Sequence, residues 1–201
     1  MSGPPDPDPQ ALPGPLVAVL MYPGVSELEL GLMLGVLLLA GGEGAARTVA
    51  RSRNSVVCAG GLVSTPQVMF AALPEVAGVL VPGGHGAQKA GRDPLLRDFL
   101  QAARGQGLPL GASGSGMLLA GEAGLLADRA VGVTPALADT VWGYLPGDVR
   151  PGEPVEDGPL LSAPGGLGAV QVTLGLSARL WGDEAARRAA DSVGAAWTPS
   201  T

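Results

Sequence analysis

Three side chains in this 201-residue chain could share one piece of chemistry: Ser113, Glu29 and His85. Ser113 lies within Leu108-Pro109-Leu110-Gly111-Ala112-Ser113-Gly114-Ser115-Gly116-Met117-Leu118-Leu119-Ala120. An apolar run there passes through small residues into a helix-forming run, which reads as strand, tight elbow and helix N-terminus. The first N–H groups of such a helix lack partners within it, and its peptide dipoles favour negative charge at one spot. Enzymes place nucleophiles at such elbows. A thiol there is acidified by the helix end alone, whereas a serine hydroxyl needs a general base in contact. His85, the only histidine, sits in the loop Pro82-Gly83-Gly84-His85-Gly86, and Glu29 is the other candidate acceptor. Gly111-Ala112-Ser113-Gly114-Ser115 falls short of the G-x-S-x-G esterase elbow, because Ser115 holds the last position.

Positioning these residues falls to elements that the apolar pattern marks. Residues 1–14, rich in Pro, Gly and Asp, are expected to be a disordered tail; 15–195 form one domain, and 196–201 a flexible end. Pro15–Met21 is a continuous apolar run with β-branched Val, a buried central strand. Ser26 and Glu29 have capping-box spacing and open a helix to about Ala40, ended by Gly41-Gly42. This helix is apolar nearly all round, so it is buried on every side or forms a dimer contact, with Gly31 and Gly35 permitting close approach. Further strands are expected at Arg47–Arg51, as a hairpin around Gly60-Gly61, and at Ala77–Val81, Ala130–Val133, Val155 and Leu160–Ser162. Helices are expected at Pro94–Ala103 behind an Asp93 cap, from the elbow to Gly124, at Leu167–Leu180 and at Asp183–Val193, with a helix or turn at Pro135–Val141. This alternation implies a three-layer α/β/α sandwich with a mostly parallel, flavodoxin-like sheet. Ligands in such folds sit at the carboxyl ends of the strands.

Composition narrows the function. A net charge of −6 and a single lysine, Lys89, argue against direct nucleic-acid binding. Cys58 is the only cysteine, so no internal disulfide forms, which fits a reducing cytoplasm. One His and one Cys do not make a usual zinc site, and no metal is expected. The chain opens without a signal peptide, and the apolar run Leu30–Ala40 is too short to span a bilayer. The loop ending at Lys89 lacks the Gly-Lys-Ser/Thr of a Walker motif, and no complete G-x-G-x-x-G occurs, so no nucleotide cofactor is expected.

Tyr22-Pro23-Gly24 with Glu29, then Val81-Pro82-Gly83-Gly84, then an elbow followed by Leu118-Leu119-Ala120 and Ala123-Gly124-Leu125-Leu126, resemble the ThiJ/PfpI superfamily. That group has the class I glutamine-amidotransferase-like fold and includes the parkinsonism-associated protein deglycase; Gly84-His85-Gly86-Ala87-Gln88 is similar to a loop of that deglycase. The resemblance spans Leu16 to Leu180. It aligns Ser113 with the family's nucleophilic Cys and Glu29 with the acidic partner of that Cys. It implies oxyanion-binding amides at Gly83 or Gly84 and at Gly114; a His of many members falls on Thr134, and an Asp of several on Gln171. Deglycase, glyoxalase, protease-like and isonitrile-hydrating activities among relatives rely on the Cys.

With oxygen in place of sulfur, and no evident proton acceptor to activate it, since a Glu29 facing Ser113 in that apolar setting is expected to be protonated, the chain reads as a non-catalytic member. Such a member would bind a small carbonyl- or carboxylate-bearing metabolite in a stress or regulatory role, as a homodimer, with neither nucleic acid nor membrane as partner. The alternative is a hydrolase or hydratase using Ser113 with Glu29 or His85.

Overall fold

The computed structural model describes residues 14–198. The expected tail, Gly14 apart, and the last three residues of the expected flexible end lie outside that range.

Strand β1 (Val17–Leu20) is buried along its whole length, as its apolar run predicts. It leads into helix α1 (Glu27–Gly41). Ser26 caps α1: its Oγ accepts the Glu29 N–H at 3.3 Å. The capping box is only half formed, since the Ser26 N–H donates to the Gly83 carbonyl at 2.7 Å and leaves the Glu29 carboxylate for other partners. α1 is not buried on every side. Glu29, Leu30, Met33, Val36 and Leu37 face inward, whereas Leu28 is 57% and Leu38 54% exposed, because among the described residues only one face of α1 has other elements to pack on.

β2 (Ala46–Ala50) lies parallel to β1. β3 (Val56–Val57) and β4 (Val63–Ser64) form the expected hairpin, and β5 (Val68–Met69) adds an edge strand beyond β2. β6 (Gly78–Val81) pairs with the other side of β1. After β6 come α2 (Ala87–Ala90) and α3 (Pro94–Gly105), the latter capped as expected by the Asp93 carboxylate, which accepts the Leu95 N–H at 3.1 Å. β7 (Leu110–Ser113) and α4 (Gly116–Glu122) are the strand and helix of the elbow. β8 (Ala130–Val133), α5 (Ala138–Trp142) and β9 (Asp148–Pro151) follow, with β8 and β9 paired in a small parallel sheet. β10 (Val155–Asp157), β11 (Leu160–Ala163), α6 (Gly168–Trp181) and α7 (Asp183–Val193) complete the chain.

The main sheet has seven strands in the order β10-β11-β7-β6-β1-β2-β5, and only β10 runs antiparallel. Its crossovers carry helices on both faces, which gives the α/β sandwich. α1, α6 and α7 pack on one another, with Val36, Val170, Leu174 and Ala189 as a small core between them. Leu20, Leu80, Met117 and Leu119 are fully buried in the main core, each contributing roughly 1.5–3 kcal/mol of burial free energy. No helix among the described residues is long and apolar enough to cross a membrane.

Candidate active site

β6, β1 and β7 end near one another at the carboxyl edge of the sheet, so their following turns converge. Glu29 comes from the first turn of α1, Gly83 and Gly84 follow β6, Ser113 ends β7, and Gly165-Gly166 follow β11. The Glu29 carboxylate joins these segments. Ser113 Oγ donates to its Oε2 at 2.5 Å, the Gly83 N–H donates to the same oxygen at 2.7 Å, and the Gly166 N–H donates to Oε1 at 3.0 Å. Glu29 is only 5% exposed; its bonds to Ser113 and Gly83 are buried, and that to Gly166 is half-buried. Behind the cluster, the Tyr22 hydroxyl donates to the Pro82 carbonyl at 2.7 Å. Burial, with the nearby Glu29 charge adding to it, pushes the Tyr22 phenol well above its ordinary range, so it stays a neutral donor.

The elbow falls one residue later than the sequence reading places it. Ser113 is the last residue of β7, in register with Ala163, and is 0% exposed. The left-handed residue is Gly114, at φ +53°. A Cβ on Gly114 would lie 3.0 Å from Glu29 Oε1 and 2.9 Å from Gly165 Cα. The position from which an elbow side chain would project toward Glu29 therefore carries no side chain. Gly114 itself was the legible signal, since a tight strand-to-helix turn needs a residue that tolerates positive φ.

The amides expected to bind an oxyanion are all engaged. Gly83 N–H serves Glu29, and Gly114 N–H donates to the Ala163 carbonyl at 3.1 Å. Gly84 N–H donates to Ser115 Oγ at 2.8 Å, and the Ser115 hydroxyl donates back to the Gly84 carbonyl at 2.7 Å. Ser115, noted in the sequence only for breaking the G-x-S-x-G pattern, thus clamps the Gly-Gly loop to the elbow. Thr134 stands beside the cluster: its Oγ1 accepts the Gly165 N–H at 3.0 Å and so braces the loop that supplies Gly166.

Gln171 is not part of the cluster. Its amide, on α6, donates to the Ala196 carbonyl at 3.0 Å and holds the segment after α7. His85 is exposed and lies against the β1–α1 turn, its Nε2 2.9 Å from where a Gly24 Cβ would stand. It makes no hydrogen bond among the described residues. The acceptor for Ser113 is Glu29 rather than an imidazole. Glu29 thus meets Ser113 as the resemblance implied, and it gives this hydroxyl the acceptor that the sequence alone did not make evident.

No group of three or more His, Cys, Asp or Glu side chains among the described residues could hold a metal ion. A mostly parallel sheet, a strand–elbow–helix unit at its carboxyl edge and a facing acid from the first helix define the nucleophile-elbow class of α/β proteins. Within that class, a family model described as the DJ-1/PfpI family matches residues 16–171, and the chain belongs to this family.

Solved structures agree. Drosophila melanogaster DJ-1beta superposes with a TM-score of 0.84 at 20% identity, over 92% of this chain and 100% of that one. A ThiJ/PfpI family protein from Pseudomonas syringae gives 0.80 at 22% identity, over 99% and 84%. A DJ-1 superfamily protein from Salmonella typhimurium gives 0.78 at 25%, over 91% and 100%. No curated protein sequence matches the chain.

Proposed function

We propose that this chain is a non-catalytic member of the DJ-1/PfpI family, with its elbow cluster serving as a structural tie and its role being regulatory or stress-related binding. The observation that carries this reading is the pairing of a side-chain-free elbow, Gly114 at φ +53°, with a fully buried Ser113 hydroxyl committed to Glu29. A nucleophile must approach its substrate to about 3 Å, which a hydroxyl closed off by protein atoms does not do. Oxyanion stabilisation needs donors left open for the reacting oxygen, and the amides at Gly83, Gly84 and Gly114 are spent on the protein itself; the Ser115 N–H, which follows the elbow, has no nucleophilic side chain on Gly114 to serve. A carbonyl or carboxylate ligand at the elbow would have to displace Ser115 from Gly84.

The 2.5 Å bond from Ser113 to Glu29 favours one rival reading, a hydrolase or hydratase with Ser113 as nucleophile and Glu29 as base. Assays of the purified protein with methylglyoxal, an isonitrile and an ester separate the two. We expect no turnover above background, and no difference between wild type and Ser113→Ala. Turnover by wild type that is lost in Ser113→Ala would establish the rival reading.

A homodimer is part of the same proposal. Leu28 and Leu38 expose apolar surface on α1, and Val57 and Val63 expose more on the β3–β4 hairpin. Glu27 draws that hairpin against the first turn of α1 by accepting the Gly60 N–H at 2.7 Å. Sedimentation should show a dimer for wild type and a folded monomer for Leu28→Glu. A monomeric wild type would reject the idea.

A further inference from the structure

A pocket of about 700 Å³ opens at the carboxyl ends of β1 and β2, and its lining includes none of Glu29, Gly83, Ser113, Gly114 or Ser115. Its size falls in the range of small-molecule sites, and it opens on the carboxyl edge of the parallel sheet. Met21, Tyr22, Ala50, Val56 and Leu96, all buried, give it an apolar floor. Three cations, Arg51, Lys89 and Arg92, line it as well. That is an unusual concentration in a chain with only 12 Lys and Arg and a net charge of −6.

The one acidic side chain in the lining, Asp93, does not neutralise them. Its Oδ1 caps the Leu95 N–H at 3.1 Å, and its Oδ2 pairs with Arg51 at 3.3 Å. Lys89, in α2, and Arg92, two residues past its end, have no acidic partner among the described residues. Unpaired like charges on a concave, partly apolar surface create a positive potential that an anion relieves. A bare inorganic anion would leave the apolar floor in contact with water.

We propose that this pocket binds an organic anion: an apolar, ring-sized body resting on Met21, Tyr22 and Leu96, with a phosphate or carboxylate head held by Lys89 and Arg92. The backbone phosphate loops missing from the sequence are not needed, because side-chain cations supply the recognition. The site is independent of whether the elbow catalyses anything.

The test is calorimetric titration of the full chain with 1-naphthyl phosphate, 1-naphthoate and the neutral 1-naphthalenemethanol. Both anions should bind at least roughly tenfold more tightly than the alcohol, and less tightly as salt is raised. The double variant Lys89→Ala/Arg92→Ala should lose about tenfold or more for the anions and nothing for the alcohol. These two side chains are exposed, so the variant folds normally and carries the test even where a cavity-filling change does not. Ala90→Phe, which fills the pocket, should weaken all three probes, whereas Ser113→Ala should change none. The tighter of the two anions identifies the head group. Failure of both anions to bind at millimolar concentration, equal binding of the neutral alcohol, or wild-type anion affinity in the double variant would each overturn the proposal.

Discussion

Glu29→Ala should lower the unfolding free energy by about 4 kcal/mol, read from urea denaturation with an unchanged m-value. Among the described residues, the carboxylate is the only acceptor for the Ser113 hydroxyl and for the Gly83 and Gly166 N–H groups. Removing it leaves the Ser113 and Gly83 donors buried without an acceptor, each costing about 1–3 kcal/mol, and the half-buried Gly166 N–H with less to lose. The total stays below the sum of the upper values because the hydroxyl can rotate and the Gly165-Gly166 segment can move outward. Glu29→Gln should cost about half as much, since an amide still accepts on one side while its NH2 opposes a donor on the other. A loss under about 1 kcal/mol in Glu29→Ala would mean that the four segments hold together without the carboxylate.

Gly84→Ala should cost about 3 kcal/mol or more, for two reasons that act together. Gly84 has φ +138°, a conformation open almost only to glycine. Its new Cβ would also overlap the Gly24 carbonyl and stand 2.5 Å from the Ser26 nitrogen. Both are backbone atoms of the β1–α1 turn and have nowhere to go. Gly107→Ala is the control: φ is +71° there, yet no atom lies within 4 Å of the added carbon. It should cost only about 1 kcal/mol. Comparable losses in the two variants would show that positive φ alone sets the cost and that the turn does not press on Gly84.

The contrast between those two glycines also explains what could be read in advance. The apolar runs of β1, β6 and β7 and the caps at Ser26 and Asp93 are local signals, and they placed the parallel sheet and its main helices. β5 and α2 were missed because two and four residues are too few to show a period. β9 was missed because Asp148, Arg150 and Pro151 do not look like a strand; its partner β8 makes it one. Within the site, Glu29 was legible as a residue facing the elbow. The elbow itself was misplaced by one position, since a cluster of Gly and Ser offers several places to turn and only the backbone angle selects Gly114. Thr134 reaches the site only through a contact with Gly165, and Gln171 leaves it through a contact with Ala196. Both depend on chain segments that meet in space and not in sequence.

Glu29 and Gly166 are separated by 137 positions, and one bond connects them. Closing so long a span carries an entropic cost, and the packing of α1 on α6 and the pairing of β1, β6, β7 and β11 meet that cost together with the bond. The carboxylate is a keystone in that its partners come from segments that only the assembled sheet brings together. A chain that has collapsed but misplaced any one of β1, β6, β7 or β11 has no such site at all, and the integrity of the cluster and the completion of the domain are a single event.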